Sequence, residues 1–160
     1  MATTSQNYSS WTALTITLAS LADNAWRGST VVDNTSNLYD DVLVGGKITT
    51  GTTPTANTTI EVYFYALVDG TNYTAGASGT DAAYTADGEE KLFRPCEIIE
   101  VDATSDQAYV FGPVSVKAAF GDTMPSKWGI VVKNDSAVAL NATAGNHAIS
   151  YMGIKSTIAA

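Results

Sequence analysis

Apolar residues along this chain recur mainly at every second position, the period of a strand with one buried face. Leu14, Ile16 and Leu18 alternate with Thr15 and Thr17. Val42, Val44 and Ile48 repeat the pattern around the Gly45-Gly46 pair. A glycine pair inside a strand predicts a bulge or a sharp bend at a sheet corner. The signal is strongest over Thr59–Val68, where Ile60, Val62, Phe64 and Ala66 point one way and Tyr63, Tyr65 and Leu67 the other. With both faces apolar, this strand is expected at the centre of the fold, covered on both sides or set against a partner subunit on one. Asp69-Gly70 ends it with a turn signal. Glu97–Val101 and Tyr109–Ala119 read as further strands, the second kinked at Gly112-Pro113. Trp128, Ile130 and Val132 alternate in turn, and Asn134-Asp135-Ser136 then predicts a hairpin into Ala137–Leu140. Ala148–Ile154 is the closing strand.

The intervening stretches lack this period. Ser20–Gly28 reads as a loop anchored by Trp26, Ser29–Val32 as a short strand, and Asp33–Asp41 and Thr50–Asn57 as turn-rich connections. Gly70–Glu90 is long and aperiodic, and loops of that length are often functional or mobile. Met1–Ser10 is polar and reads as a flexible N-terminal arm. No long amphipathic helix and no helical crossover breaks the series. The expected fold is all-β: a single-domain, jelly-roll-like β-sandwich over residues 11–160, built from about eight antiparallel strands and preceded by the arm over residues 1–10.

Composition sharpens the picture by exclusion. The 160 residues suit one domain, large enough to build a core without metals or disulfides. Charged residues make up 15% of the chain, against about 25% in ordinary domains, and the net charge is −8. Eight thinly spread cations build no phosphate-tracking surface, so neither nucleic acid nor an anionic membrane is an expected partner. No apolar run approaches the roughly 20 residues that span a bilayer, and the polar start has no signal-peptide pattern.

Catalytic chemistry finds little to work with. His147 and Cys96 are the single histidine and the single cysteine. A nucleophilic triad must use that histidine, no Gly-x-Ser-x-Gly elbow accompanies it, and it reads as an ordinary strand-edge residue. Cys96 follows Arg94-Pro95, a nearby cation of the kind that lowers a thiol pKa, yet it reads as structural. One histidine and one cysteine cannot assemble a zinc site. Asp33, Asp40 and Asp41, and Asp69, Asp81 and Asp87, are carboxylates in turns that match no EF-hand spacing. No catalytic residue, cofactor or metal is therefore expected. The aromatics are the better candidates, as interface anchors: Tyr8, Trp11, Tyr63, Tyr65, Tyr73 and Tyr84. Tyr73 and Tyr84, in the long loop, are also the candidate platform for a host glycan.

Trp11–Ala22 (WTALTITLASLA), Arg27–Asn34 (RGSTVVDN), Tyr39–Pro54 and Phe120–Asn134 (FGDTMPSKWGIVVKN) together resemble small virion proteins of tailed bacteriophages that decorate or cement the icosahedral head. The likeness runs from about Tyr8 to Ser156. It implies a jelly-roll-like, non-enzymatic domain, often a homotrimer, seated on the outer capsid where capsomers meet, with the major capsid protein as partner. It also implies a terminal arm that reaches a neighbouring subunit, the part that Met1–Ser10 would take by position. Such a protein is made in the host bacterial cytoplasm and ends on the virion surface. The alternative is a tail or head-fibre component that binds host-surface carbohydrate.

Overall fold

The computed structural model of the chain describes residues 3–159. The strands are β1 (Thr3–Tyr8), β2 (Thr12–Ala13), β3 (Trp26–Gly28), β4 (Val32–Asp33), β5 (Asp41–Thr49), β6 (Thr58–Ala66), β7 (Ala82–Tyr84), β8 (Arg94–Val101), β9 (Ala108–Ser115), β10 (Lys127–Asp135) and β11 (Ala148–Ala159). They form two antiparallel sheets packed as a sandwich. The first runs β1-β11-β5-β9, with β2 also on β11; the second runs β7-β3-β10-β6-β8, with β4 also on β10. The all-β sandwich expected from the alternating pattern is the fold observed.

The main core lies between the sheets. Ile60, Val62 and Phe64 of β6 and Trp128, Ile130 and Val132 of β10 meet Val42, Val44 and Ile48 of β5, Phe111 of β9 and Ile149 of β11. These are the every-second residues of each strand, and each buried side chain of this size contributes about 1.5–3 kcal/mol. A second cluster sits on the other side of β6, outside the sandwich: Tyr65, Ala75, Ala77, Phe93 and Val131. The chain therefore covers the outer face of β6 itself, by folding residues 70–93 back over it. Tyr65 is completely buried there. Its ring lies across β10 above Gly129, where an added Cβ would stand 2.4 Å from the ring. Its hydroxyl donates to the Ser29 carbonyl at 2.8 Å.

The glycine signals at Gly45-Gly46 and Gly112-Pro113 prove to be two sides of one irregularity. The pairing of β5 with β9 slips between Val44 and Gly46, with the extra residue on β9. An added Cβ on Gly112 would meet the Val44 carbonyl at 2.5 Å, and one on Gly45 the Phe111 carbonyl at 3.0 Å. The backbones approach too closely for any other residue.

Several expectations are corrected. Leu14 and Leu18 are buried and Thr15 and Thr17 exposed, as the alternation required, but the segment is an extended crossing between the sheets rather than a strand. Single bonds hold it, from Leu14 N–H to Ile149 O at 2.8 Å and from Thr30 N–H to Thr15 O at 2.9 Å. Trp26–Gly28 is strand β3, not loop, because it pairs with Lys133–Val131 on β10. Ala137–Leu140 does not return as a hairpin. The buried Asn134 side chain accepts from Ser136 and donates to the carbonyls of Leu21 and Val138, at 2.9 and 2.7 Å. It thereby satisfies backbone groups that a returning ladder would have used. Val116–Ala119 is one helical turn, α1, capped by the Ser115 hydroxyl, rather than the end of a strand. The long loop contains β7, and the described residues form eleven strands rather than about eight.

Replacing Gly129 with alanine forces the fully packed Tyr65 ring to move. The expected cost is about 1–3 kcal/mol, the usual penalty of overpacking a filled site. In urea unfolding the midpoint falls with an unchanged slope; a midpoint equal to that of the parent would contradict this packing.

Candidate functional site

Residues 70–93 are strapped down rather than loose. The Asp81 carboxylate accepts from Arg27 Nε at 2.6 Å, and from the Thr17 hydroxyl and amide at 2.6 and 3.0 Å. Arg27 Nη2 also donates to the Asp81 carbonyl at 2.9 Å. One residue thus ties the long segment to β3 and to the crossing between the sheets. Burial works against the charge on Asp81, but the Arg27 guanidinium and the Thr17 bonds outweigh it and hold the carboxyl below its ordinary range. Thr74 adds a further clasp, accepting from Ala66 N–H at 3.2 Å and donating to Ala66 O at 3.1 Å.

The outer face of the first sheet has no such cover. The registers place Ala148, Ser150, Met152, Ile154, Ser156 and Ile158 of β11 on that face. Lys47, Gly45, Leu43 and Asp41 of β5 lie beside them, then Val110 and Ser115 of β9. On the other flank stand Tyr8, Gln6 and Thr4 of β1. Asp41 and Lys47 are the charged side chains in these rows. Asp41 is occupied: it accepts from Ser115 Oγ at 2.8 Å and from the amides of Val42 and Lys117 at 2.7 and 3.1 Å. Trp11 stands at the margin, beside a shallow cleft of about 410 Å³ bounded by Lys47, Val110 and Pro113. Eight large hydrophobic side chains are exposed among the described residues, and four of them belong to this one surface: Tyr8, Trp11, Val110 and Ile158. Val110 is the most open, at 81% exposed. A sheet face that leaves large apolar side chains open at both ends suits a contact site.

At one end the face runs out into a ribbon. β5 accompanies β11 only as far as Ile154, and from Ile154 to Ala159 the pairing of β11 is with β1. The arm expected over Met1–Ser10 is thus, over Thr3–Tyr8, a paired strand; Met1 and Ala2 lie outside the described residues. Its polar side is stitched by Ser5 and Asn7 to the Thr157 hydroxyl, each at 2.9 Å. Periodicity could not reveal this strand, because Thr4–Tyr8 are exposed on both sides.

The six aromatic candidates therefore separate. Tyr8 and Trp11 are exposed and border the same open face. Tyr65 is withdrawn from any surface, because the chain's own segment closes over it. Tyr63, Tyr73 and Tyr84 are half-buried in that second cluster. Trp26 stacks on Tyr63 with centroids 5.9 Å apart, Tyr73 meets Tyr65 edge-on at 5.6 Å, and Tyr84 meets Phe93 edge-on at 5.1 Å. Val110, Ile158, Leu43 and Met152 were missed by sequence reasoning. Leu43 and Met152 sit among apolar neighbours whose alternation gives no sign of which face is wet.

The chemistry-bearing residues occupy structural posts. His147 is half-buried; its Nδ1 accepts from Thr49 N–H at 3.4 Å, which leaves Nε2–H to donate to the Asn141 carbonyl at 2.9 Å. Burial first, then Glu97, pushes the Cys96 thiol up to about 12, so Arg94 does not activate it. No cluster of three or more histidine, cysteine or acidic side chains able to hold a metal ion occurs among the described residues. The acids cap turns instead: Asp33 accepts from Thr35, Asp69 from Thr71 and Asn72, and Asp102 from Thr104. Among the described residues no helix is long and apolar enough to cross a membrane.

Comparison with known proteins returns no matching family model, no matching curated protein and no matching solved structure.

Two measurements check this description. Asp81→Asn should cost about 1.5–3 kcal/mol, the range for hydrogen bonds to a charged group. Because the folded pKa of Asp81 is depressed, its contribution is complete above the unfolded value of about 3.9 and lost as pH falls through the folded one. The parent protein therefore loses stability on acidification more steeply than Asp81→Asn; parallel acid titrations would contradict the strap. Cys96 in the native protein at pH 8 should alkylate on the order of a thousandfold more slowly than in urea, as its thiolate fraction requires. Equal rates would show the thiol to be free.

Proposed function

We propose that this chain is a non-enzymatic virion structural protein that binds the outer surface of a tailed-phage capsid and stabilises the contacts between capsomers. The observation that carries the proposal is the open, almost uncharged outer face of the first sheet, running from Val110 and Trp11 to the ribbon at Tyr8 and Ile158. A cement protein works by burying such a surface across a seam, and each bound copy stabilises the assembled shell by mass action. The partner is the major capsid protein. The homotrimeric state is carried from the sequence resemblance alone.

The physical design suits this work. The sandwich is a stiff support, and its second sheet is covered over Tyr65 and Val131 by its own strap. Half of the exposed large hydrophobics, Tyr8, Trp11, Val110 and Ile158, fall on the open face of the first sheet. A net charge of −8 keeps the free protein soluble and away from packaged nucleic acid. The sugar-binding alternative draws less support, because Tyr73 and Tyr84 are packed edge-on against other rings rather than presented to solvent.

The test is co-sedimentation of the purified protein with capsids that lack it, from the phage that encodes it. Trp11→Asp and Val110→Asp, both at exposed positions, should leave the fold intact and weaken binding at least tenfold each, as buried aromatic and aliphatic anchors of a contact do. Full-strength binding by the double variant would move the contact elsewhere. Failure of the parent protein to sediment with capsids would overturn the capsid reading.

A further inference from the structure

Each sheet of the sandwich ends in edge strands, and an edge strand is a template for another chain unless something blunts it. Three of the edges here are blunted. β7 is only three residues long. β8 carries Arg94, Pro95, Glu97 and Glu100 within eight residues. β9 is interrupted by the extra residue at Gly112-Pro113. The fourth edge, β1, has none of these devices: Thr3–Tyr8 contains no charge, no proline, no glycine and no register shift.

The hydrogen-bonding direction of that edge can be read from its continuation. Ser9 N–H donates to Gly153 O at 2.9 Å, and the same register pairs Asn7 with Lys155 and Ser5 with Thr157. Antiparallel strands alternate, so the odd-numbered residues turn their backbone groups to β11. The N–H and C=O groups of Thr4, Gln6 and Tyr8 therefore point out along the free edge.

We infer that this edge pairs with the same edge of a second copy, antiparallel and about a two-fold axis at Gln6. That register sets Thr4 opposite Tyr8 of the second copy and Gln6 opposite its own counterpart, so every outward-pointing residue exchanges both backbone bonds. Three features favour a second copy over a foreign strand. β1 and Ser156–Ile158 are uncharged, so identical strands meet without like-charge repulsion. A two-stranded ribbon beyond a sheet is marginal alone, whereas two of them joined make a four-stranded sheet, enough for independent stability. Thr4, Gln6 and Tyr8 share the face of Ile154 and Ile158, so pairing extends the open face of one copy into that of the next. The two-fold closes on itself, and the contact does not propagate into fibres. The pairing belongs to the free protein and does not depend on the capsid reading.

The experiment is residue-resolved amide exchange on the full-length protein across a dilution series, with sedimentation velocity alongside. The amides of Ser5 and Asn7 should be protected at every concentration. Those of Thr4, Gln6 and Tyr8 should be protected only in the associated form and exposed on dilution. Gln6→Pro removes an outward N–H without touching the bonds to β11 and should weaken association at least tenfold. Gln6→Lys, which opposes two like charges, should do the same and decides the matter if the proline disturbs the ribbon. Free exchange of the even-numbered amides at all concentrations would overturn the inference, as would unaltered association of both variants. Protection of those amides only when capsids are added would also overturn it, by assigning the edge to a foreign strand while leaving the capsid reading in place. A trimer held elsewhere leaves the test readable, because these amides report on the β1 edge alone.

Discussion

A central strand that is apolar on both faces governs the rest of this structure. Ile60, Val62 and Phe64 demand cover on one side of β6 and Tyr65 on the other, and all four are completely buried. The first sheet meets the inner demand. No third sheet meets the outer one; residues 70–93 do, although their composition alone would not hold them in place. Buried aromatic area at Tyr65 and Phe93, the clearance that Gly129 leaves for a ring, and the Asp81 anchor make that segment part of the folded body. Removing the strap would expose exactly those rings that the interior of a larger protein would hide, so the segment stands in for a missing layer.

From that arrangement follows an asymmetry with functional weight. Over Tyr65 of β6 and Val131 of β10 the second sheet is covered by the chain itself, and the first is left bare on its outer side. The bare side is where the chain places Val110, Trp11, Leu43, Met152 and, on the ribbon, Tyr8 and Ile158, with Asp41 turned to backbone amides and the Ser115 hydroxyl and Lys47 as the remaining charge. A solvated sheet face normally alternates apolar with charged positions. Here the outward positions are small, neutral or apolar, which suits a surface that spends its working life against another protein. The histidine and the cysteine, held in hydrogen bonds and in burial respectively, take no part in it.

The sequence made the sandwich legible because strand burial writes itself at period two. The Ile60-to-Phe64 and Trp128-to-Val132 patterns, the Gly45-Gly46 and Gly112-Pro113 signals, and the turn after Asp69 all lie where the residues placed them. What escaped reading was whatever depends on contacts distant in the chain. Tyr65 looked like a subunit contact because nothing in the polar, aperiodic stretch after Gly70 announces that it folds back over the ring. β1 looked like a loose arm because both its faces are wet. Leu14–Leu18 carries a strand's alternation yet runs between sheets, since burial alone sets the period and a ladder needs a neighbour. Of the contact candidates, Tyr8 and Trp11 lie on the open face, while Val110 and Ile158 could be placed there only by knowing the register.

The central claim, that this chain works as a component of a viral shell, is tested most directly by its abundance in the particle. Quantitative mass spectrometry of purified virions should find it in a ratio to the major capsid protein approaching one. A handful of copies per particle would assign it to the tail or a fibre, and its absence from virions would contradict the account.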